Sequence, residues 1–270
     1  MDNDATRLLD LAVTTAQETG RMLVEGQAGA SVVQTKSSPT DIVTEMDKAA
    51  DDLVSRRLRE ARPEDALLTE ESGASAGGSG VRWVVDPIDG TVNYLYGMLD
   101  WAVSIAAEVD GEAVAGVVEV PARGETYTAV RGRGAWRTRA GRWPEPIFCS
   151  TGVPLNRALV ATGFGYASER RAHQAEVLVG VLPNVRDIRR GGSAAVDLCS
   201  LACGRVDAYY ERGVNAWDIG AAGLIAAEAG ARVGGLAGRP ASPEMTIAAP
   251  EPLFTALNDL LTPLDPERDS

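Results

Sequence analysis

One histidine, three cysteines and three phenylalanines are all that this 270-residue sequence holds of those types. No stretch stays apolar for the ~20 residues that a membrane span needs. Each shortage removes a class of function. A lone histidine rules out a multi-histidine metal site. His173 lies in "SERRAHQAEVLVGVL", a helix with its apolar residues toward the C-terminal end. A surface or boundary role is expected there, so no Ser-His-Asp or Cys-His-Asn triad of usual form is assembled around it. Cys149, Cys199 and Cys203 form no CxxC, and the last two sit one helical turn apart in an apolar segment, which predicts reduced core thiols rather than zinc or a disulfide. The start, "MDNDATRLLDLAVTTAQETG", is acidic and helix-patterned, without the basic region and apolar run of an export signal. The expected location is the cytoplasm, with no membrane partner. Positive charge is also short: 26 bases against 38 acids leave a net charge of −12, which argues against a general nucleic-acid binder. The stretch "RGRGAWRTRAGRW", Arg131 to Trp143, runs the other way, but its glycines and alternation predict a solvated hairpin. Catalysis in such a chain rests on carboxylates, hydroxyls, amines or bound metal.

What is present suffices for a large core, because 45% of the residues are hydrophobic. Two amphipathic helices are readable, one around Thr6 to Glu25 with Leu8, Ala12 and Ala16 on one face, the other from Glu45 to Ala61 and stopped by Pro63. Strands then follow in close succession: "VRWVVD", "WAVSIAAEV", "AVAGVVEV", "ETYTAV" and "GAWRT", with turn signals between them, predict an antiparallel meander. Near residue 145 the pattern changes to alternating strand-like and helix-like pieces, which predicts a layered α/β half. The expected organisation is therefore an N-terminal part over 1–145 and a C-terminal α/β part over 146–270. "SGASAGGSG", Ser72 to Gly80, reads as a flexible surface loop.

The segment "WVVDPIDGTVNYLYG" carries the chemistry. A buried strand is expected to end at Asp86, with Pro87 removing an N–H from the ladder and Gly90 free to turn sharply. Asp86 and Asp89 then emerge on one side of a tight turn, where two carboxylates repel unless a proton or cation lies between them, and oxygen-only clusters suit Mg²⁺. Backbone N–H groups after Gly90, opening a short helix at Thr91 to Tyr94, could hold a phosphate. A plain Asp-Pro-Gly turn explains the same residues. Other acids are open to two readings each. Glu70 and Glu71 in "LLTEESG" are partners or exposed turn glutamates; Asp218 in "WDIGAAGLIAAEAG" is a partner or a helix N-cap. Asp41 and Asp47 in "SSPTDIVTEMD" are candidates too, although Thr44 and Asp47 also fit a capping box.

"KSSPTDIVTEMD", "LLTEESG", "DPIDGTVNY" and "WDIGAAGLIAAEAGA", in that order, resemble the motifs of the inositol monophosphatase family, and the similarity covers nearly the whole chain. Tyr94 stands where Phe is common and Gly220 where Ala is common, and the Gly/Ser-rich loop follows Glu71; no departure removes a carboxylate. The resemblance implies an αβαβα sandwich with the active site between two halves, and a homodimer. It implies that Glu70, Asp86, Asp89 and Asp218, with the Ile88 carbonyl, bind two or three Mg²⁺ ions. Gly90 and Thr91 would hold the phosphate, Asp47 would pair with Thr91, and Glu70 would help orient the attacking water. Asp86, Asp89 and Asp218 would hold the ion that stabilises the departing alkoxide. Hydrolysis of a phosphate monoester is among the slowest uncatalysed reactions, and paired cations supply what side chains cannot.

Glu211 matches a position from which family members contact inositol hydroxyls, and Ser193 and Ala194 match the neighbouring substrate loop, with Asp218 beside them. The expected substrate is myo-inositol 1-phosphate, with histidinol phosphate and fructose 1,6-bisphosphate as alternatives. "GTVNY" differs from the Gly-Thr-Lys-Glu-Phe form of the 3′-phosphoadenosine 5′-phosphate phosphatase branch. Lys36 would lie in a mobile loop near the metals, or is a solvated loop lysine. A reading of another class makes the protein an RNA- or protein-binding regulatory partner through its arginine run.

Overall fold

The computed structural model describes residues 2–36 and 42–268, so Asp41 lies outside the described residues. Five layers alternate helix and sheet. The first holds α1 (Asp2–Gly26) and α2 (Glu45–Ala61), joined through a small antiparallel pair, β1 (Val32–Thr35) and β2 (Ile42–Thr44). Leu8, Ala12, Ala16 and Leu23 of α1 recur at helical spacing and are buried against the second layer. α2 begins in a capping box: the Thr44 hydroxyl accepts from the Met46 and Asp47 N–H groups, while the Thr44 N–H donates to Asp47 Oδ2 at 2.7 Å.

The second layer is an eight-stranded sheet in the order β10-β9-β8-β7-β6-β5-β3-β4. Its strands are β3 (Ala66–Thr69), β4 (Gly73–Ser75), β5 (Val81–Asp89), β6 (Ala102–Val109), β7 (Glu112–Val120), β8 (Glu125–Val130), β9 (Ala135–Arg139) and β10 (Glu145–Ile147). The meander holds from β5 to β10, but β3 pairs parallel to β5, so the sheet is mixed. The Ser72 to Gly80 stretch is more structured than a flexible loop: β4 lies in it as an edge strand, and Ser79 Oγ donates to Asp65 Oδ1 at 2.6 Å. β5 also continues past its proline. Asp86 pairs with Ser104 and Asp89 with Ala102 across a bulge that takes up Pro87 and Ile88, so the missing N–H falls where the ladder needs none.

The third layer is α5 (Ala194–Ala202) and α6 (Ala216–Glu228), sandwiched between the two sheets in one continuous core with Val84, Ala106, Val118 and Tyr127 on one side and Ala161, Tyr209 and Ala248 on the other. Small residues let this layer approach closely: a Cβ on Gly116 of β7 would lie 2.9 Å from the Ala221 Cα of α6. The fourth layer is a five-stranded sheet, β12-β11-β13-β15-β14, built from β11 (Leu159–Thr162), β12 (Asp187–Arg189), β13 (Ala208–Glu211), β14 (Arg232–Gly234) and β15 (Thr246–Ala249). The fifth is α4 (Ser168–Val181) and α7 (Leu253–Leu261), packed on that sheet through Val177, Phe254 and Leu257. His173 is not a surface residue: it is 4% exposed, and its Nε2 lies 2.8 Å from the Asp265 carbonyl oxygen, so Nε2 carries the proton. Residue 145 falls at the start of the edge strand β10. No helix among the described residues is long and apolar enough to cross a membrane.

Candidate active site

The bulge in β5 determines where the acids point. Asp86 stays in the ladder and its Oδ1 accepts the Ile88 N–H at 3.0 Å, a local bond that orients the carboxylate. Gly90 takes φ +95°, a left-handed angle that a side chain would strain, and starts α3 (Thr91–Leu95). α3 is pinned from behind by Tyr94, whose hydroxyl donates to the Leu23 carbonyl at 2.7 Å and whose ring meets Trp101 edge-on at 4.9 Å. From the third layer, α6 brings in Asp218. The N-cap of α6 is Asn215, and Asp218 sits three residues on, accepting the Asn215 N–H. It is thus not the cap itself.

Asp86, Asp89 and Asp218 each offer a carboxylate oxygen within 4.8 Å of the others. Asp86 and Asp89 are 2% and 8% exposed. Burial is the first cause that raises the proton affinity of all three, Asp86 and Asp218 well above the usual carboxylate range, and repulsion between neighbouring acids adds to it at Asp86 and Asp218. For Asp89 burial prevails even though Oδ2 accepts the Ser193 hydroxyl and the Ala195 N–H, both at 2.6 Å. Glu70, just past β3, donates its N–H to the Val85 carbonyl beside Asp86, and its carboxyl is likewise raised by burial. Lys36 Nζ lies 2.7 Å from Glu70 and 2.6 Å from Glu71. Burial opposes its charge, and the two glutamates outweigh burial and hold it above its ordinary value. Lys36 is therefore engaged at the rim of the cluster rather than solvated. An all-oxygen donor set carrying more negative charge than its surroundings balance fits a hard divalent cation such as Mg²⁺.

Beside the cluster, Thr91 Oγ1 donates to Asp47 Oδ1 at 2.9 Å and lies 3.2 Å from the Ile88 carbonyl oxygen. Asp47, 1% exposed, also takes the Thr44 N–H and hydroxyl, so the capping box of α2 and the candidate site share one carboxylate. Both readings of Asp47 hold at once.

The cleft over these residues has a volume of about 520 Å³ and is lined by Lys36, Glu70, Asp86, Ile88, Asp89, Gly90, Thr91, Ala194, Glu211 and Asp218, among others. Ser193 comes to it indirectly: it is 2% exposed, caps α5 by accepting the Val196 N–H, and its hydroxyl is used on Asp89. Glu211 ends β13; burial raises its carboxyl to about 7 against the hydrogen bond that the Tyr209 hydroxyl gives it. Arg170 and Arg190 line the same cleft, and the positive charge of Arg190 acts against the raised proton affinities of Asp89 and Glu211.

Three contributors escape a motif-based reading. Asn93 Nδ2 donates to the Asp100 carbonyl at 2.6 Å and to the Gly191 carbonyl at 2.9 Å, tying the Asp89 turn to the loop before α5. Asp197, raised to about 8 by burial and then by Glu211, sits behind that loop. Tyr209 is two residues from Glu211 on one strand, and that spacing is the signal that could have found it. Three arginines of the hairpin, by contrast, are paired with acids, two of them with the same one. Arg137 and Arg139 lie 2.7 and 2.9 Å from Glu145, and Arg131 lies 3.4 Å from Glu112.

A profile of the inositol monophosphatase family matches residues 4–263. The chain is 46% identical over 247 residues to the Mycobacterium tuberculosis protein named inositol-1-monophosphatase SuhB, covering 86% of this chain and 85% of that one. It is 36% identical over 238 residues to the Escherichia coli protein named Nus factor SuhB, with 86% of each covered. The solved structure of Mycobacterium tuberculosis SuhB superposes with a TM-score of 0.84 at 41% identity, over 98% of this chain and 99% of that one. With fold, motifs and acid cluster in agreement, the chain belongs to the inositol monophosphatase family.

Proposed function

We propose that the protein hydrolyses a phosphate monoester of a polyol, myo-inositol 1-phosphate first among them, to the free alcohol and phosphate. The observation that carries this reading is the convergence of oxygens from three aspartates, two of them buried, within 4.8 Å of one another in a cleft, in a chain that is 46% identical to a protein named for that activity. Mg²⁺ is the proposed ion, two or three per site, held by Glu70, Asp86, Asp89, Asp218 and the Ile88 carbonyl. When bound, the ions would neutralise the phosphate and lower the pKa of water. The rest belongs to the chain. Gly90 and Thr91 hold the phosphate through backbone and hydroxyl groups. Thr91, donating its proton to Asp47, keeps its lone pairs free to accept one from the attacking water, and Glu70 supplies a second acceptor that fixes the direction of attack. Glu211 accepts hydrogen bonds from substrate hydroxyls beside Asp218, Ala194 lines the contact, and Ser193 acts through Asp89.

Residues 1–145 and 146–270 are proposed as two halves, the second contributing Asp218 and the substrate contacts. A cytoplasmic homodimer is proposed as well. The exposed Tyr96, Met98 and Leu99 form an apolar patch after α3 that a second copy would cover. The partner reading stands second: the name of the Escherichia coli relative favours it, while the pairing of Arg137 and Arg139 with Glu145 offsets part of the hairpin's positive charge.

The test is phosphate release from myo-inositol 1-phosphate, histidinol phosphate and fructose 1,6-bisphosphate, each with Mg²⁺ and with EDTA. Mg²⁺-dependent turnover favouring the inositol ester is expected. Preference for another ester would refute the role given to Glu211, and release from none of them would refute the enzymatic reading.

A further inference from the structure

Glu211 is held in place by two residues on its own sheet. Tyr209 and Glu211 are two apart on β13, so both side chains point to the same face, and Tyr209 packs there in the core shared with α5 and α6. The Tyr209 ring is fully buried and its hydroxyl donates to Glu211 Oε2 at 2.9 Å. The neighbouring strand β11 runs parallel to β13 with Ala161 beside Tyr209 and Thr162 beside Tyr210, which brings Gly163 next to Glu211. A Cβ on Gly163 would stand 2.0 Å from one Glu211 carboxylate oxygen and 2.3 Å from the other. The glycine leaves open the volume that the carboxylate fills, and the tyrosine selects one orientation within it. A glutamate with three rotatable bonds would otherwise lose much of its directional value as an acceptor.

We infer that Tyr209 and Gly163 are positioning residues that set the enzyme's preference for esters of hydroxyl-rich cyclic alcohols, by fixing the Glu211 carboxylate toward the substrate's hydroxyl groups. The inference rests on the reading above that Glu211 meets those hydroxyls. Neither residue lines the cleft floor, and neither touches Asp86 or Asp218 through a hydrogen bond, so the preference is separable from the hydrolytic step.

The experiment measures kcat/KM for myo-inositol 1-phosphate and for phenyl phosphate, which has no hydroxyl beyond the ester, in the wild type and in Tyr209→Phe, Gly163→Ala and Glu211→Gln. A lost hydrogen bond to a charged group lowers the inositol-to-phenyl ratio about tenfold in Tyr209→Phe, mainly through KM. Gly163→Ala produces the same loss by displacing the carboxylate, and only the tip of Glu211 has to move to accommodate it. If Glu211→Gln keeps the wild-type ratio, the role of Glu211 fails and the inference falls with it. If Glu211→Gln lowers the ratio while Tyr209→Phe and Gly163→Ala keep it, the inference alone is overturned. Equal losses on both substrates, with a lowered melting temperature, would make Tyr209 merely structural and overturn it as well.

Discussion

Replacing Asp89 by Asn changes one charge and leaves the shape. The Ser193 hydroxyl and the Ala195 N–H both donate to Oδ2 at 2.6 Å, and in the variant they hold the amide oxygen in that place. The other oxygen becomes an NH₂, which donates rather than ligates. Without metal, the variant relieves repulsion among buried acids, so its melting temperature in EDTA equals or exceeds that of the wild type. With metal, the order reverses. At Mg²⁺ 100-fold above Kd, one bound ion stabilises the wild type by about 2.7 kcal/mol. Loss of a ligand that weakens binding about 100-fold leaves about 0.4 kcal/mol at the same concentration. The difference of about 2.3 kcal/mol corresponds to about 5–9 °C in a chain of this size. Calorimetric melting with Mg²⁺ and with EDTA reads this directly, and phosphate release falls at least about 100-fold in parallel. An unchanged Mg²⁺ shift together with retained turnover in Asp89→Asn would refute the site assignment.

Stability without metal should fall as pH rises. Glu211 and Asp197 have carboxyls raised to about 7 and about 8, and Asp86, Asp89, Asp218 and Glu70 are raised as well. A raised folded-state value means that the native protein binds more protons than the unfolded chain, so the stability present below about pH 4 is lost progressively through pH 8. Melting in EDTA between pH 6 and 8.5 should show this decline, and Mg²⁺ should flatten the share due to the four candidate ligands. A flat profile in EDTA would contradict the raised values. Thr44→Ala removes the cap of α2 and the hydroxyl that donates to Asp47, while the backbone N–H donor stays, costing about 1–2 kcal/mol. It should also lower turnover through Thr91, and an unchanged kcat would show that Asp47 does not need the cap.

The parts of this fold that were legible in the sequence are those with local causes. Thr44 and Asp47 announce a capping box because helix starts need side-chain acceptors, and the structure shows it. The turn after Asp86 was visible from Pro87 and Gly90, and Gly90 does take a left-handed angle. The strand itself was misread at its end: a proline forbids a ladder bond but not a bulge, and only pairing with Ser104 and Ala102 shows that β5 continues. The parallel partner β3 and the distant contact of Asn93 with Gly191 depend on chain segments far apart, for which a single sequence carries no periodic signal. His173 was misplaced for the same reason, since the Asp265 carbonyl that buries it comes from the far C-terminal end. Asp218 illustrates the limit within one helix. Asp and Asn are both good caps, and Asn215 takes the position, which leaves Asp218 to face the other acids.

Hydrolysis is proposed to depend on ions held by the carboxylates that converge at the end of β5 and the start of α6. Titration calorimetry with Mg²⁺ on the wild type and on Asp218→Asn, with phosphate release from myo-inositol 1-phosphate measured in the same samples, tests this dependence most directly. Saturable binding and turnover are expected in the wild type, with a joint loss of both in the variant. Full Mg²⁺ binding and turnover without Asp218 would contradict that dependence.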